Sequence, residues 1–371
     1  MKDTQADEET PLVILAVTDR YPIGDVEETI FRTAQHPRPF QLVSHNLDAG
    51  EPLSTIPLEI TSSAHGLFLL RHYFTETDIE RFPRLRCIVR TGVGYDRVDR
   101  SAIRAAGITL HNVPDYGTAE IADHAMALVL SLRRGIILHH DQQRSTGGAW
   151  TTLDSPNTFP LRGSLMQRCK GRVVGIVGLG RIGTAFALRA KAFDFEVCMS
   201  FSISADEEVV FYDPFLPNGV DKALGIERIR DIRDLFRRAD VISLHCHHTP
   251  ATRHLVNSHT LSLVKPDAVV VNTARGELVD LDALYVALKE NRLLAAGLDV
   301  VEVEPPVEPL PILLQVYKAR EKWLEGRFVV TPHAAYFSRE SVVDMRLYSA
   351  ETMRDVLFDG LQTNMIDITA W

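Results

Sequence analysis

The stretch Gly175 to Gly183, read G-I-V-G-L-G-R-I-G, constrains the chain more tightly than any other. An apolar strand candidate at 172–177 runs into it and a helix-like segment at 181–193 runs out of it, so Gly178, Gly180 and Gly183 fall at a strand-to-helix turn. In that context the spacing reads as a dinucleotide-binding fingerprint, whereas the glycines alone would mark an ordinary turn. The reason is backbone chemistry. Gly178 permits the tight turn, Gly180 lets the chain approach a pyrophosphate, and Gly183 lets helix and strand pack closely. The helix start then offers unpaired N–H groups and a positive dipole end to the anion.

On either side of this turn, short apolar runs alternate with helix-like segments. Strand candidates lie at 11–19, 40–44, 66–70, 87–90 and 109–112, with helical candidates at 26–34, 77–82 and 100–106 between them. Residues 118–134, T-A-E-I-A-D-H-A-M-A-L-V-L-S-L-R-R, combine helical apolar spacing with strong helix formers and read as a helix leading from one domain to the next. A loop rich in Gly, Ser, Thr and Pro follows at 145–164. Beyond the glycine turn, strands are expected at 209–212, 240–245, 268–272, 295–299 and 328–331, and an amphipathic helix at 341–359. Such alternation predicts an α/β protein with parallel sheets and right-handed crossovers. Its 371 residues suffice for two domains, each with its own core.

One spacing breaks the pattern. The carboxylate that holds an adenosine ribose is expected about 20 residues past the glycines, at the end of the second strand. The candidate in V-V-F-Y-D-P-F is Asp213, which lies 35 residues past Gly178. Removing 198–209, C-M-S-F-S-I-S-A-D-E-E-V, brings the separation to 23, so these residues read as an insertion at that strand. A carboxylate at Asp213 would accept from the ribose 2′-hydroxyl and repel a 2′-phosphate, which favours NAD over NADP.

Charge and cysteine usage narrow the partners. With 40 basic against 49 acidic residues, net −9, the chain has no general pull toward nucleic acid phosphates. Cys87, Cys169, Cys198 and Cys246 form no C-x-x-C pair, which argues against a disulfide framework or zinc ribbon and fits a reducing compartment. The acidic, polar start reads as a disordered leader, and no apolar run is long enough for a signal or a membrane span, so a cytosolic or nuclear protein is expected. His245, His247 and His248, with His254 and His259, lack a ligand spacing, and no metal site is expected.

Three more stretches could act on a carbonyl beside a nicotinamide. V-N-T-A-R-G-E-L-V-D puts Arg275 past an apolar strand, A-A-G-L-D-V-V-E-V-E-P ends one at Asp299 with Glu304 just beyond, and V-V-T-P-H-A-A-Y puts His333 past another. Open α/β sheets bring ligands to the carboxyl ends of their strands. An arginine binds a 2-oxo carboxylate by charge-assisted hydrogen bonds and polarises its ketone. A histidine gives a proton to the developing alkoxide, and a neighbouring carboxylate orients the ring and favours its charged form. Singly, these residues would read as a surface charge, a solvated turn residue and a helix cap. At successive strand ends they read as one site.

The motifs C-I-V-R-T-G-V-G-Y-D from Cys87, L-R-A-K-A-F from Leu188, F-Y-D-P-F from Phe211, V-N-T-A-R-G-E-L-V-D from Val271 and T-P-H-A-A-Y-F-S from Thr331 fall within 65–355. On these the chain resembles the D-isomer-specific 2-hydroxyacid dehydrogenases, and within them is most similar to the C-terminal-binding protein branch of NAD-binding corepressors. The resemblance implies a Rossmann NAD-binding domain, 119–334, inserted into a flavodoxin-like substrate domain made of 1–118 and 335–371. It implies interconversion of a 2-oxo acid and a D-2-hydroxy acid, with Arg275 binding substrate, His333 donating the proton and Glu304 its partner. Gly178, Gly180, Arg181, Ile182, Gly183, Asp213, Cys246, Thr273 and Asp299 would line the NAD site, with Val93 approaching from the other domain. The backbone of Gly92 to Gly94 would hold the substrate carboxylate, assisted by Arg90. Tyr336 stands where the corepressors carry Trp, and the run 305–327 is longer than usual in the family, so the pocket rim differs. A homodimer is implied as well. The corepressor branch implies an alternative, an NAD(H)-sensing protein that binds short peptide motifs of transcription factors and keeps weak or vestigial catalysis.

Overall fold

The computed structural model describes residues 10–368 apart from 19–22, 49, 146–165 and 201–218. It divides into two units, Met1–Gly117 with Ser338–Trp371, and Thr118–Phe337.

The first unit holds β1 (Leu12–Thr18), β2 (Phe40–Asn46), β3 (Gly66–Leu69), β4 (Cys87–Arg90) and β5 (Thr109–His111) in one parallel sheet, order β2-β1-β3-β4-β5. Its helices are α1 (Asp25–Phe31), α2 (Leu58–Thr61), α3 (Arg100–Ala105) and α12 (Arg339–Leu357). β1 reads as an unbroken apolar run because both of its faces are covered. Leu15 and Val17 enter one core with Leu67, Leu69 and Ile88, while Ile14 and Ala16 enter the other with Phe31, Phe68 and Met353. Chain positions more than 300 residues apart thus share a single core. α12 begins at Arg339, two residues ahead of expectation, because the Ser338 side chain accepts the Ser341 N–H at 2.8 Å and caps it. Gly66 lets α12 lie close to β3, since a Cβ there would come within 2.6 Å of Leu357 and 2.7 Å of Met353.

The second unit holds β6 (Val173–Val177), β7 (Glu196–Ser200), β8 (Glu227–Ile229), β9 (Val241–Leu244), β10 (Val269–Asn272), β11 (Ala295–Leu298) and β12 (Phe328–Val330). All pairings are parallel, in the order β12-β11-β10-β9-β6-β7-β8. Its helices are α4 (Thr118–Arg133), α5 (Ile136–Ser145), α6 (Arg181–Ala192), α7 (Val220–Leu224), α8 (Ile232–Arg238), α9 (Ser258–Leu261), α10 (Leu281–Lys289) and α11 (Ile312–Lys318). The strand order reverses direction between β6 and β9, the kind of switch point beside which open sheets bind their ligands. Among the described residues no helix is long and apolar enough to cross a membrane.

The α/β architecture of two parallel sheets matches the expectation from alternation, with three local differences. The helical segment expected at 77–82 is a 3-10 helix at Glu76–Arg81, about two turns, capped at its start by Asp78 accepting the Thr75 N–H at 2.8 Å. β8 is absent from the sequence reading because its three residues, E-R-I, bury only Ile229 at the sheet edge. Cys198 to Ser200, set aside as part of an insertion, continue β7 beside β6 and β8. The remainder, 201–209, and the strand expected at 209–212 lie outside the described residues.

α1 and α12 are tied by a nearly buried ion pair, which anchors the C-terminal helix to the N-terminal strand region. Glu27 is 2% exposed and accepts from Arg346 Nε at 2.9 Å and Nη2 at 2.8 Å, and from the Gly24 N–H at 2.9 Å. Replacing Arg346 by Met leaves that carboxylate buried with the Gly24 N–H alone. A loss of about 3 kcal/mol is expected on urea unfolding, and an unchanged midpoint would show that the pair contributes nothing.

Candidate active site

The register of the second sheet aligns the carboxyl ends of its strands. Ile229, Ser200, Val177, Leu244, Asn272, Leu298 and Val330 are Cα partners in one continuous row. The glycine turn leaves from Val177, Arg275 follows Asn272 by three residues, Asp299 follows Leu298 directly, and His333 follows Val330 by three. Parallel pairing therefore delivers all these groups to one edge of one sheet.

At the switch point the three glycines have different surroundings. Gly178 has φ +91 and lies so close to the peptide after β9 that a Cβ would sit 2.7 Å from Cys246 N and 2.8 Å from the His245 carbonyl carbon. Gly183 packs directly on the Gly178 carbonyl, where a Cβ would overlap. Among the described residues nothing lies within 4 Å of the hypothetical Cβ of Gly180, which leaves room there for a ligand. It is the N-cap of α6 and makes no side-chain capping bond, and Arg181 and Ile182 follow it in the first turn. The first N–H groups of a helix have no partner within it, so this cradle suits a pyrophosphate.

His245 and Cys246 pack behind the turn. The His245 ring lies 4.9 Å from Phe186, its Nε2 pairs with Ser243 Oγ at 2.8 Å, and its buried Nδ1 has no partner among the described residues. Although the residue keeps some surface, the ring nitrogen has none, and burial pushes its pKa down to about 3. Burial likewise pushes the Cys246 thiol up to about 12, which keeps it a neutral packing group. Among the described residues no three histidine, cysteine or acidic side chains gather as metal ligands.

The loop after β10 is held by a residue the sequence reading passed over. Asn272 is fully buried; its Oδ1 accepts the Ala274 N–H at 3.0 Å and its Nδ2 donates to the Arg275 carbonyl at 2.7 Å. Thr273, between them, has a buried hydroxyl without a partner among the described residues, which is the kind of orphaned group a bound cofactor would satisfy. Gly276 presses on the Val301–Glu302 peptide so closely that any Cβ would overlap it. The loop carrying Arg275 is thereby fixed against the loop leading to Glu304. Arg275 itself is half-buried, and its Nη1 donates to the Ala274 carbonyl at 2.7 Å.

Glu304 and His333 are brought into direct contact. His333 Nδ1 lies 2.6 Å from Glu304 Oε2, and Glu304 Oε1 accepts the Val301 N–H at 3.1 Å. The imidazole is 35% exposed, so Nε2 can exchange a proton with a ligand while Nδ1 is held. Its backbone has φ +52, and its N–H donates to the Asp299 carbonyl at 2.7 Å. The Asp299 carboxylate turns toward the same loop, accepting from Thr331 Oγ1 at 2.6 Å and from the Ala334 and Ala335 N–H groups at 2.9 Å each. Tyr336 stands edge-on to the His333 ring at 6.4 Å.

The candidates of the first unit lie at and just past the end of β4. The half-buried Arg90 donates to the Thr91 carbonyl at 2.7 Å and its guanidinium covers Gly92, where a Cβ would have to push it aside. The Gly92 carbonyl accepts the Val113 N–H at 3.1 Å, and Asn112 Nδ2 donates to the Val93 carbonyl at 2.8 Å. These bonds shape the loop through Gly94. Asp213 lies outside the described residues.

Comparison with known proteins gives a consistent picture. Residues 126–335 match the D-isomer specific 2-hydroxyacid dehydrogenase, NAD binding domain, family. D-3-phosphoglycerate dehydrogenase of Methanocaldococcus jannaschii is 34% identical over 295 residues, covering 79% of this chain and 50% of the relative. C-terminal-binding protein 1 of Caenorhabditis elegans is 31% identical over 290 residues, 76% of this chain and 35% of the relative. The chain thus spans half or less of these curated relatives. D-lactate dehydrogenase from Aquifex aeolicus, in complex with NAD and lactic acid, superposes with a TM-score of 0.72 at 22% identity over 95% of this chain and 98% of that one, which shows the shared fold.

Two outcomes are expected. Gly183→Ala forces a methyl group onto the Gly178 carbonyl and should weaken NADH binding at least tenfold, read by quenching of protein fluorescence; unchanged affinity would contradict the close packing. For His245 the folded pKa, about 3, lies below the ordinary 6.5. Below pH 6.5 the unfolded chain then binds a proton that the folded chain does not, so stability falls as pH drops from 6.5 toward 3. The slope from this residue is at most about 1.4 kcal/mol per pH unit. Urea midpoints from pH 7 to 4 should decline less steeply in His245→Gln than in the parent.

Proposed function

The chain belongs to the D-isomer-specific 2-hydroxyacid dehydrogenase family, with its NAD-binding domain, and from that membership we propose that it interconverts a 2-oxo acid and a D-2-hydroxy acid. The observation that carries the reading is the 2.6 Å contact between His333 Nδ1 and Glu304 on the sheet edge that also bears the glycine turn and Arg275. NAD, when bound, supplies or accepts the hydride at the nicotinamide ring. The protein supplies the rest. The N-terminus of α6 and Gly178 to Gly183 hold the pyrophosphate, and the free hydroxyl of Thr273 offers a hydrogen bond to the cofactor. Arg275 binds the substrate carboxylate and draws electron density from its ketone. With Nδ1 engaged by Glu304, His333 presents Nε2 to the substrate oxygen, giving a proton in reduction and taking it back in oxidation.

In this reading the Gly92 to Gly94 backbone, Arg90 and Tyr336 complete the substrate site, Val93 contacts the nicotinamide, and the active species is a homodimer. Asp213 selects NAD. The likeness to C-terminal-binding protein 1 supports a second reading, an NAD(H) sensor that binds short peptide motifs and has little catalysis. Arg275, Glu304 and His333 fit both, so turnover must separate them.

The test is NADH oxidation with pyruvate, glyoxylate, hydroxypyruvate and its phosphate ester. One acid should turn over briskly. His333→Ala should lower kcat about 10²- to 10⁴-fold with NADH affinity kept, and Arg275→Ala should lower kcat/KM roughly 10- to 100-fold. Tight NADH binding with no turnover of any acid would reject the dehydrogenase reading and favour the sensor.

A further inference from the structure

We infer that His124, on α4, is a positioning residue for His333, acting through Thr331 and Asp299; the inference rests on the reading of His333 as proton donor. His124 lies 207 residues before Thr331, and its Nε2 is 3.0 Å from Thr331 Oγ1 and 3.8 Å from Asp299 Oδ1. A threonine hydroxyl carries one hydrogen. Thr331 spends it on Asp299 Oδ1, at 2.6 Å, the shortest bond the carboxylate makes. The hydroxyl can therefore only accept from His124, which fixes the hydrogen on Nε2 in either charge state of the ring.

A directed chain follows, from His124 N–H to Thr331 O–H to Asp299. The buried carboxylate passes the constraint on, because its oxygens accept the Ala334 and Ala335 N–H groups, while the Asp299 main-chain carbonyl accepts the His333 N–H at 2.7 Å. His333 is thus bracketed by bonds on both sides in a left-handed conformation, φ +52, that a non-glycine residue rarely adopts unaided. Without the His124 donor, the Thr331 hydroxyl loses the partner that holds its rotamer, the bond to Asp299 loosens, and the His333 ring is less well aimed at Glu304. Small misplacements of a proton donor cost rate more than substrate affinity.

Three variants test this. His124→Phe keeps a ring and removes the donor, Thr331→Val keeps the shape and removes the hydroxyl, and His124→Gln places an amide N–H near the Nε2 position. With whichever 2-oxo acid the parent reduces, His124→Phe and Thr331→Val should lose about tenfold in kcat with KM within twofold, while His124→Gln stays within about threefold of the parent. In the absence of cofactor and substrate, the downfield proton resonance of His333 Nδ1 should broaden in His124→Phe and Thr331→Val and persist in His124→Gln. Unaltered kcat and resonance in the folded Thr331→Val or His124→Phe protein, or a fall in melting temperature alone, would overturn the inference. So would a loss in His124→Gln as large as in His124→Phe. Should His124→Phe fail to fold, Thr331→Val and His124→Gln decide by the same two readings. If the parent reduces no acid at all, the dehydrogenase reading fails by itself, and the His333 resonance still decides whether His124 positions the ring.

Discussion

A single carboxylate organises the strand-end edge of the second unit that carries Arg275, Glu304 and His333. Asp299 is 1% exposed, yet each of its oxygens is satisfied: Thr331 Oγ1 and the Ala334 N–H on one, the Ala335 N–H on the other. An isolated buried carboxylate would cost several kcal/mol, and charge-assisted hydrogen bonds offset that cost only when the geometry is kept. The penalty for disorder in 331–335 is consequently steep, since any loosening strands part of a buried charge. That is a physical reason for a rigid loop at the point where His333 must meet Glu304. Asp299 also stands at a strand end where a cofactor contact was expected, and its carboxylate braces the loop that carries His333.

The second constraint is close approach of backbone to backbone. Gly178 against His245–Cys246, Gly183 against the Gly178 carbonyl and Gly276 against Val301–Glu302 are all places where a Cβ would overlap main chain. They weld β6 to β9, the turn to α6, and β10 to the segment after β11. Side chains are flexible and could absorb such crowding, but peptide groups cannot. The positions of the cofactor cradle and of Arg275 are thus set by main chain that has no rotamers to explore. Gly180 is the exception that fits the pattern, since among the described residues nothing lies within 4 Å of the Cβ position beside it.

Much of this was legible in the sequence because it depends on local order. Apolar runs alternating with helical spacing gave the two parallel sheets, and a residue type placed just past a strand is enough to locate Arg275, Glu304 and His333 once the strands are parallel. What escaped notice depends on partners far away in the chain. Asn272 looks like one more polar residue at a strand end, and only the folded loop shows it clasping Ala274 and Arg275. His124 sits in an amphipathic helix whose sequence gives no hint of Thr331. For Asp299 the sequence shows a carboxylate in place but not which way its lone pairs point. β8 was missed for a different reason, since three residues with one buried side chain carry too little periodicity to register.

The positive φ of His333 connects these constraints to the chemistry. A left-handed backbone costs a non-glycine residue about 1–2 kcal/mol, and glycine would relieve it but has no imidazole. The conformation turns the chain sharply after Thr331–Pro332, so the ring emerges beside Glu304, which sits past the neighbouring strand, rather than continuing along β12. The strain is sustained because the Asp299 carbonyl and carboxylate hold the peptide groups on both sides of the turn. His333 and Glu304 therefore meet through a turn that neither residue would select alone, and the loop's stability is inseparable from the buried network that enforces it.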